Sequence, residues 1–595
     1  LHPRVRRQRQ MCIRDRYNRQ EDNMKKELPI ILIAFIFILS FFTPLTVSAS
    51  PISEMNIYAI YLDSPEKGDC VLLESRRHAL LIDIGRYSHA PTILNQLQTL
   101  GLTHVDICFS HLHSDHTGGT SGDFIAGLKF LINSGITVDN LYLPSRSYSA
   151  YSQRYQKKFD EIQNSVSAYT NIHYLRVNDQ LTIGDITGKV IGPVNPVDYM
   201  PHIDSNGNGY TTYENNTSLA MIFSCGNTRY FTAGDCYKDE AEALCNYYGD
   251  ALKCDIMKLC HHGTTSGNTQ RLINAVQPKY SFASNIYYDD KAEDTGYWKI
   301  YKASTRASKY GMCYAVGTEK KTLIYHIVND KITLYKGSQI SSNNQLKGWQ
   351  HFFGSDGVNM NYNTYYFDKN CQPLIGTQKI GKHYYFFDKT GLMQYGKFTS
   401  NNTYNHWLTS QEGKQYYTLT NDRKYAYLTV GFKEIGNSLY YFNSNGYLYI
   451  DPSYANDETD EDDMIITQIG ADYYAMNSIG TLLSDDWLEQ DGFYYFFKKD
   501  GKMVYDCLYT IENTSYLFDT DGTLMTADGV KYDFVSWKKR LYAVDHNGII
   551  VKQNIVKIKG HKYYFDSNGV LVKNRKVVWK GHKYKCNSKG IVKKL

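Results

Sequence analysis

The sequence predicts an α/β domain of sheets covered by helices, followed by a solenoid of β-hairpin repeats. Three observations carry this reading. Short apolar runs alternate with helical patterns over residues 54–338. Glycines far down the chain recur every 21 residues, as in Gly480, Gly501 and Gly522, and again in Gly548, Gly569 and Gly590. Tyrosine is over-used, with 54 Tyr against 25 Phe and 6 Trp, and it is densest beyond residue 345. At 595 residues the chain is long enough for several cores. Its net charge of +5 is too small for this length to suggest a whole-protein nucleic-acid binder.

The first segment is set aside before the fold is read. Met24-Lys-Lys, the apolar run from Leu28 to Phe42 and Val47-Ser-Ala49 have the three regions of a secretory signal peptide, so residues 24–49 are expected to be removed after Ala49. The apolar core is shorter than the roughly 20 residues a spanning helix needs, and no membrane span is expected after cleavage. Residues 1–23 precede the natural start and are expected to be non-native upstream sequence. Export permits disulfides. The cysteines, 12 in all, are scattered singly without CxxC pairs, so they read as small buried hydrophobes and not as a disulfide framework.

Residues 50–340 are assigned to the α/β domain. Strand-like runs at Asn56–Leu62, Val71–Glu74 and Ala79–Ile84 come first in hairpin-like order. Later runs, among them Val105–Phe109, Ser218–Ser224, Arg229–Phe231, Ile256–Leu259 and Tyr280–Ala283, alternate with helical patterns at Ala90–Leu100, Ser121–Asn133, Tyr151–Ala168, Lys238–Tyr248 and Thr269–Val276. Hairpins first and helices afterwards exclude a doubly wound parallel sheet.

The chemistry is concentrated in Ser110-His-Leu-His-Ser-Asp-His-Thr-Gly119, where His111, His113, Asp115 and His116 fall within six residues after an apolar run. Neutral imidazole and carboxylate are the ligands that hold zinc at about 2.0–2.2 Å. Alternate residues of an extended segment share a side, so His111, His113 and Asp115 can converge while His116 turns to a second position. A dinuclear metal site is expected. Three further clusters also follow apolar runs: Asp83 in Leu80-Leu-Ile-Asp-Ile-Gly85, Asp235 in Tyr230-Phe-Thr-Ala-Gly-Asp235, and His261 with His262 before Gly263.

In this order and context the motifs resemble those of the metallo-β-lactamase superfamily, over about residues 54–338. Within it, Gly68-Asp-Cys70, Asn215-Asn-Thr-Ser-Leu219, Thr232-Ala-Gly-Asp235, Lys258-Leu-Cys-His-His-Gly263 and Val276-Gln-Pro-Lys279 are similar to the extracellular domain of ComEC-type competence proteins. The resemblance implies a four-layer αββα sandwich with two Zn²⁺ ions at one edge of the sheets. His111 and His113 would serve the first ion; Asp115, His116 and one of the His261–His262 pair, with His261 favoured, the second; Asp235 would bridge them. Asp83 would orient ligands from behind them. His262 would be free to contact substrate or protonate a leaving group, acting with Asp115 and Asp235 in catalysis. Lactamases place a third His where this chain has Asn215-Asn216-Thr217-Ser218, so Asn216 stands beside the first ion and the lactamase reaction is disfavoured. Such a centre supplies Lewis acidity and a nucleophile at neutral pH, and two cations also suit the charged oxygens of a phosphodiester.

Residues 345–595 repeat a unit of the form Gly-x-x-Tyr-Tyr-Phe-Asp-x-x-Gly-x-Leu, clearest at Gly381–Gly391, Gly492–Gly501 and Gly560–Gly569. Each unit reads as a hairpin whose aromatics are buried by stacking on its neighbours. The acidic run from Asp457 to Asp463 interrupts the array as a solvated insert. The array resembles the choline-binding and glucan-binding cell-wall repeats of Gram-positive surface proteins. In that family Trp and Tyr rings cage a quaternary ammonium, and here only Trp349, Trp407, Trp487, Trp537 and Trp579 are available. The last 44 residues hold twelve lysines and almost no acid, a cationic face suited to anionic polymers such as teichoic acids.

Signal peptide, metal domain and repeats together resemble teichoic-acid phosphorylcholine esterases. The expectation is a secreted, cell-surface zinc hydrolase of a phosphodiester, small or polymeric, held to a wall polymer or teichoic acid by its repeats. Two alternatives stand beside it: a ComEC-like extracellular nuclease, the one case with a nucleic-acid partner, and an adhesin with a vestigial metal domain.

Overall fold

A computed structural model describes residues 52–64, 66–149, 153–166, 169–194, 212–284, 297–355, 360–395, 397–398, 404–410, 412–419, 426–456 and 463–595. The expected upstream segment and signal peptide, and all of the acidic insert but Asp463, lie outside the described residues. Among the described residues no helix is long and apolar enough to cross a membrane.

Among the described residues the first region has fifteen strands: β1 (Glu54–Ala59), β2 (Val71–Ser75), β3 (His78–Ile82), β4 (His104–Cys108), β5 (Thr137–Pro144), β6 (Asn171–Leu175), β7 (Gln180–Ile183), β8 (Ile186–Gly192), β9 (Ala220–Cys225), β10 (Thr228–Thr232), β11 (Ile256–Lys258), β12 (Tyr280–Ala283), β13 (Met312–Ala315), β14 (Leu323–Val328) and β15 (Lys331–Lys336). They form an eight-stranded sheet, β15-β14-β1-β2-β3-β4-β5-β6, and a seven-stranded sheet, β13-β12-β11-β10-β9-β8-β7. Both sheets are built the same way. β1, β2 and β3 run antiparallel and β3 to β6 parallel. Likewise β7 to β10 run antiparallel and β10 to β13 parallel.

Three apolar layers follow from this. Between the sheets, Ile57, Leu73, Leu80, Ile82 and Tyr325 meet Phe223, Tyr230 and Phe282. Outside the first sheet, Leu72, Leu81 and Ile107 are covered by Ile93 and Leu97 of helix Ala90–Thr99, Leu128 and Leu131 of helix Ala126–Asn133, and Phe159 and Ile162 of helix Gln153–Ser165. Outside the second, Phe231 and Met257 are covered by Leu244 of helix Lys238–Tyr248, Leu272 and Ile273 of helix Gln270–Val276, and Ala303 and Ala307 of helix Tyr297–Ser308. The architecture is the expected four-layer αββα sandwich. Alternate residues of the central strands, such as β1, β3, β9 and β12, face opposite apolar layers, which is why those strands read as continuous hydrophobic runs.

Beyond it comes an array of antiparallel hairpins, such as Asp486–Gln490 with Phe493–Phe497, Cys507–Ile511 with Thr514–Phe518, and Asn554–Ile558 with His561–Phe565. The segment leaving each hairpin is bonded to the one before it: Met503 N donates to Tyr473 O, Leu524 N to Tyr494 O, Ile550 N to Ser515 O and Leu571 N to Leu541 O. The closing glycine of the repeat needs its residue type. At Gly569 φ is +80°, and a Cβ would lie 2.5 Å from Ile550 Cγ2 of the neighbouring unit. Asp566 Oδ1 completes the turn by accepting from Asn568 N and Val570 N, both at 2.9 Å. One departure from the repeat is a five-stranded sheet in which Thr481–Leu482 joins hairpins Gly431–Phe442 and Met464–Asn477.

The first hairpin, Gly348–Ser355 with Met360–Phe367, does double duty. Its Phe352, Tyr365 and Phe367 belong to the layer between the two sheets of the sandwich. The Phe352 ring stands edge-on to Tyr314 at 5.5 Å, with Lys336 Nζ 5.6 Å above it. Past this hairpin, Gln372 Nε2 donates to Ile332 O at 3.0 Å. The expected boundary at residue 340 therefore falls ahead of rings that complete the first region's core.

Candidate metal centre

All the polar clusters picked out above converge at the C-terminal ends of parallel strands of both sheets. Asp83 follows β3, the His111–His116 segment follows β4, Asp235 follows β10, and His261 and His262 follow β11. The two sheets are tied together there, since Leu219 N donates to Ser110 O at 2.8 Å. Gly234, at φ +48°, permits the approach: a Cβ there would lie 2.6 Å from Ser110 Oγ.

Asp83 is buried in a left-handed conformation, φ +62°. Its Oδ1 accepts from Ser110 N at 2.7 Å; its Oδ2 accepts from Ser110 Oγ and His116 Nδ1, both at 2.8 Å. A proton fixed on Nδ1 leaves His116 Nε2 directed inward, 3.2 Å from Asp235 Oδ2. His262 is held the same way, with Nδ1 at 2.8 Å from Asp69 Oδ1 and Nε2 at 3.4 Å from both Asp235 Oδ2 and Asp115 Oδ2. Asp69, His116, Asp235 and His262 form a fully buried group whose donor atoms all lie within 4.8 Å of one another.

His111 and His113 stand alongside. Their rings approach with Nε2 and Nδ1 at 2.9 Å, and the His111 ring centroid is 4.2 Å from that of His116. The sequence expectation made His261 the ligand and left His262 free. The structure seats them the other way round. His262 is buried in the cluster, whereas His261 is half-buried, bonded through Nδ1 to Ser266 Oγ at 2.7 Å, with Nε2 3.6 Å from Asp235 Oδ2. Both residues adopt left-handed backbone, φ +47° and +55°. Non-glycine residues held there cost of order 1–3 kcal/mol each and collect at functional sites. Asn216 does not touch the cluster. It accepts from Tyr237 N at 3.1 Å and reaches Asp239, because the short helix Thr212–Asn216 turns its side chain along helix Lys238–Tyr248.

Sequence reasoning assigned no role to three buried residues here. Asp69, between β1 and β2, pairs with Lys258 Nζ through Oδ2 and accepts from Ser284 Oγ through Oδ1. Lys258 ends β11 and Ser284 follows β12, so a charged network lies directly behind His262. The signal was available: a lysine closing an otherwise apolar strand of three residues is costly to bury without a carboxylate partner.

The electrostatics divide the histidines. Burial pushes His111 well below its usual value and lowers His113 to about 4; it lowers His261 as well. These rings are neutral and offer lone pairs. Burial also acts against charge on His116 and His262, but Asp235 with Asp83 lifts the first well above its usual value, and Asp235 with Asp69 lifts the second to about 10. Asp235 and Asp115 are held below the usual carboxylate range despite burial, each by the nearby His262 and His116. His116 Nε2, His262 Nε2 and Asp235 Oδ1 are buried with no hydrogen-bond partner. Orphaned donor atoms of this kind, facing one another and backed by carboxylates, fit a divalent cation.

Fold and site together define a class: an αββα domain with a buried His/Asp centre at one sheet edge, joined to a hairpin repeat array. Comparison with known proteins finds similarities to parts of the chain. The family described as a putative cell wall binding repeat matches residues 430–448 and 556–571. A curated relative, competence protein ComA of Neisseria gonorrhoeae, is 24% identical over 243 residues, which is 40% of this chain and 27% of that protein. The chain thus spans about a quarter of that relative's length. Among solved structures, the metallo-beta-lactamase fold protein YhfI from Bacillus subtilis is 14% identical, with 46% of this chain and 99% of that one covered and a TM-score of 0.30. CbpJ from Streptococcus pneumoniae is 19% identical, with 45% and 96% covered and a TM-score of 0.28.

Proposed function

We propose that the protein is a surface-attached, metal-dependent hydrolase of the metallo-β-lactamase type that cleaves a phosphodiester in a wall polymer or teichoic acid, with zinc as its metal. The carrying observation is the buried group of Asp69, His116, Asp235 and His262, in which His116 Nε2, His262 Nε2 and Asp235 Oδ1 have no hydrogen-bond partner. His116, His262 and Asp235 would hold one ion, with Asp115 at its edge; His111 and His113 would hold a second beside Asp235. Metal bound there supplies Lewis acidity toward a phosphoryl oxygen and makes water a nucleophile near neutral pH.

The chain's own residues do the rest. Asp83 and Asp69 keep the Nδ1 protons of His116 and His262, so both rings present Nε2 inward. Asp235 Oδ2 lies 3.2–3.6 Å from the Nε2 atoms of His116, His262 and His261, placing one carboxylate at the centre of the group. His261, partly open to solvent, is the histidine placed to meet substrate and to pass a proton to a departing oxygen. The wall-binding reading rests on the repeat match, and neither matched stretch contains a tryptophan. Attachment through the repeats therefore fits a carbohydrate or wall polymer as readily as choline.

A second reading, a ComEC-like nuclease, is favoured by the likeness to a competence protein over 243 residues. The test is metal quantification on the purified protein together with hydrolysis of bis(4-nitrophenyl) phosphate, teichoic acid and single-stranded DNA. His116→Ala and Asp115→Ala should abolish hydrolysis and leave wall binding intact. Unchanged turnover in either variant refutes the assignment, and cleavage confined to DNA transfers it to the nuclease reading.

A further inference from the structure

The last two hairpins, the first of them overlapping the matched repeat stretch 556–571, carry a charged feature apart from the metal centre. Residues 552–595 hold twelve lysines and Arg575 against one acid, Asp566, a net charge of +12. With the chain at +5 overall, everything before them is net negative. All thirteen cations are exposed. The strand register sets them directly against each other: Lys557 opposite Lys562, Lys576 opposite Lys585, and Lys585 opposite Lys593 across the terminal three-stranded sheet. Among the described residues, only Lys559, 3.1 Å from Asp533, has a carboxylate within ion-pair reach.

Like charges directly opposite in a sheet destabilise it, and neighbouring strands are only about 4.8 Å apart. A fold that merely needs solubility would intersperse acids, as the earlier hairpins do with Glu412 beside Lys414 and Asp472 beside Lys502. A row of self-repelling cations is relieved by an anionic partner that spans several of them at once. No Tyr, Phe or Trp ring in these 44 residues is exposed, so bases would find no open platform to stack on.

We propose that the two terminal hairpins form a docking surface for a flexible, base-free polymer of repeating phosphate esters, bound by displacement of its counterions. This extends the wall-attachment reading: it assigns the charged backbone of the polymer to the lysine rows and leaves uncharged substituents to the aromatic repeats.

The test is binding of the full-length protein to inorganic polyphosphate across a salt series, with single-stranded DNA of equal charge as competitor. The triple variant Lys576→Gln, Lys585→Gln, Lys593→Gln should bind at least tenfold more weakly at 0.15 M salt. Its plot of log affinity against log salt should flatten by about 2, since each phosphate no longer neutralised takes roughly 0.7 from the slope. Its Tm should hold or rise, because repulsion has been removed. The pair Lys498→Gln, Lys499→Gln, elsewhere in the array, should change nothing. Absence of polyphosphate binding, equal binding by the triple variant, or stronger competition by DNA than by polyphosphate overturns the proposal. Hydrolysis of bis(4-nitrophenyl) phosphate by the triple variant should match the parent, so this surface and the metal centre fail or stand separately.

Discussion

The sandwich and the array bury similar aromatic and aliphatic side chains by opposite means. In the sandwich, strands far apart in sequence meet, as β1 does with β14, and polar groups from five strand ends gather at one buried point. In the array past the first hairpin, the described hairpins stack chiefly on those next to them, and carboxylates such as Asp566 close their turns. Long-range assembly can hold carboxylates and imidazoles away from water in opposition; nearest-neighbour stacking cannot, and offers long repeated surfaces instead. The proposed chemistry falls to the first region and the proposed attachment to the second for that reason.

The sharpest break of this contrast lies where the regions overlap. Ending the chain's first region at residue 340 removes Phe352, Tyr365 and Phe367 from the inter-sheet layer, and loss of a buried ring of this size costs about 3–5 kcal/mol each. A protein truncated there should be insoluble or molten, whereas one truncated at residue 395 should melt cooperatively. Equal melting curves for the two would show that the hairpin is dispensable.

Next in size is Lys258→Met. It leaves Asp69 buried without its cation, and breaking one side of a buried pair costs about 3–5 kcal/mol. Because Asp69 also orients His262, zinc affinity measured against a chelator should fall 10- to 100-fold. Unaltered affinity would separate Lys258 from the centre.

The pH response should differ in sign with and without metal. In chelator-treated protein, His116 and His262 are charged within their carboxylate cage, and that stabilisation is complete below the ordinary His value near 6.5 and lost as pH rises toward about 10. Metal must displace those protons, so its affinity should climb with pH over the same window, up to tenfold per unit for each proton released. Calorimetry in buffers of different ionisation enthalpy counts the protons; a count of zero contradicts the assignment.

The smallest effect on turnover should come from Trp487→Ala. Trp487 packs against Phe496 and Tyr516 of its own and the next hairpin at 5.2 Å each, so the damage should stay in those units and leave hydrolysis of a small substrate unchanged. Protection of backbone amides by hydrogen exchange maps how far it spreads.

Much of this was legible in the sequence. The apolar runs located most of the strands, and the His-x-His-x-Asp-His segment with Asp83 and Asp235 located the site, because these groups sit where strands end. What the sequence concealed was partnership across long separations. Asp69 lies 193 residues from His262, and nothing local ties them. The order of His261 and His262 was concealed as well, since left-handed backbone at both decides which ring turns inward. Helix Tyr297–Ser308 escaped because its small buried residues, Ala303 and Ala307, make a weak apolar stripe.

The shared first hairpin has a mechanical consequence. A tension drawn along the array enters the sandwich through Phe352, Tyr365 and Phe367 and so loads the layer between the sheets. Just past this hairpin, Gln372 ties the chain back to β15. Whatever the repeats grip, a pull on them is felt by the strands whose ends carry the histidines.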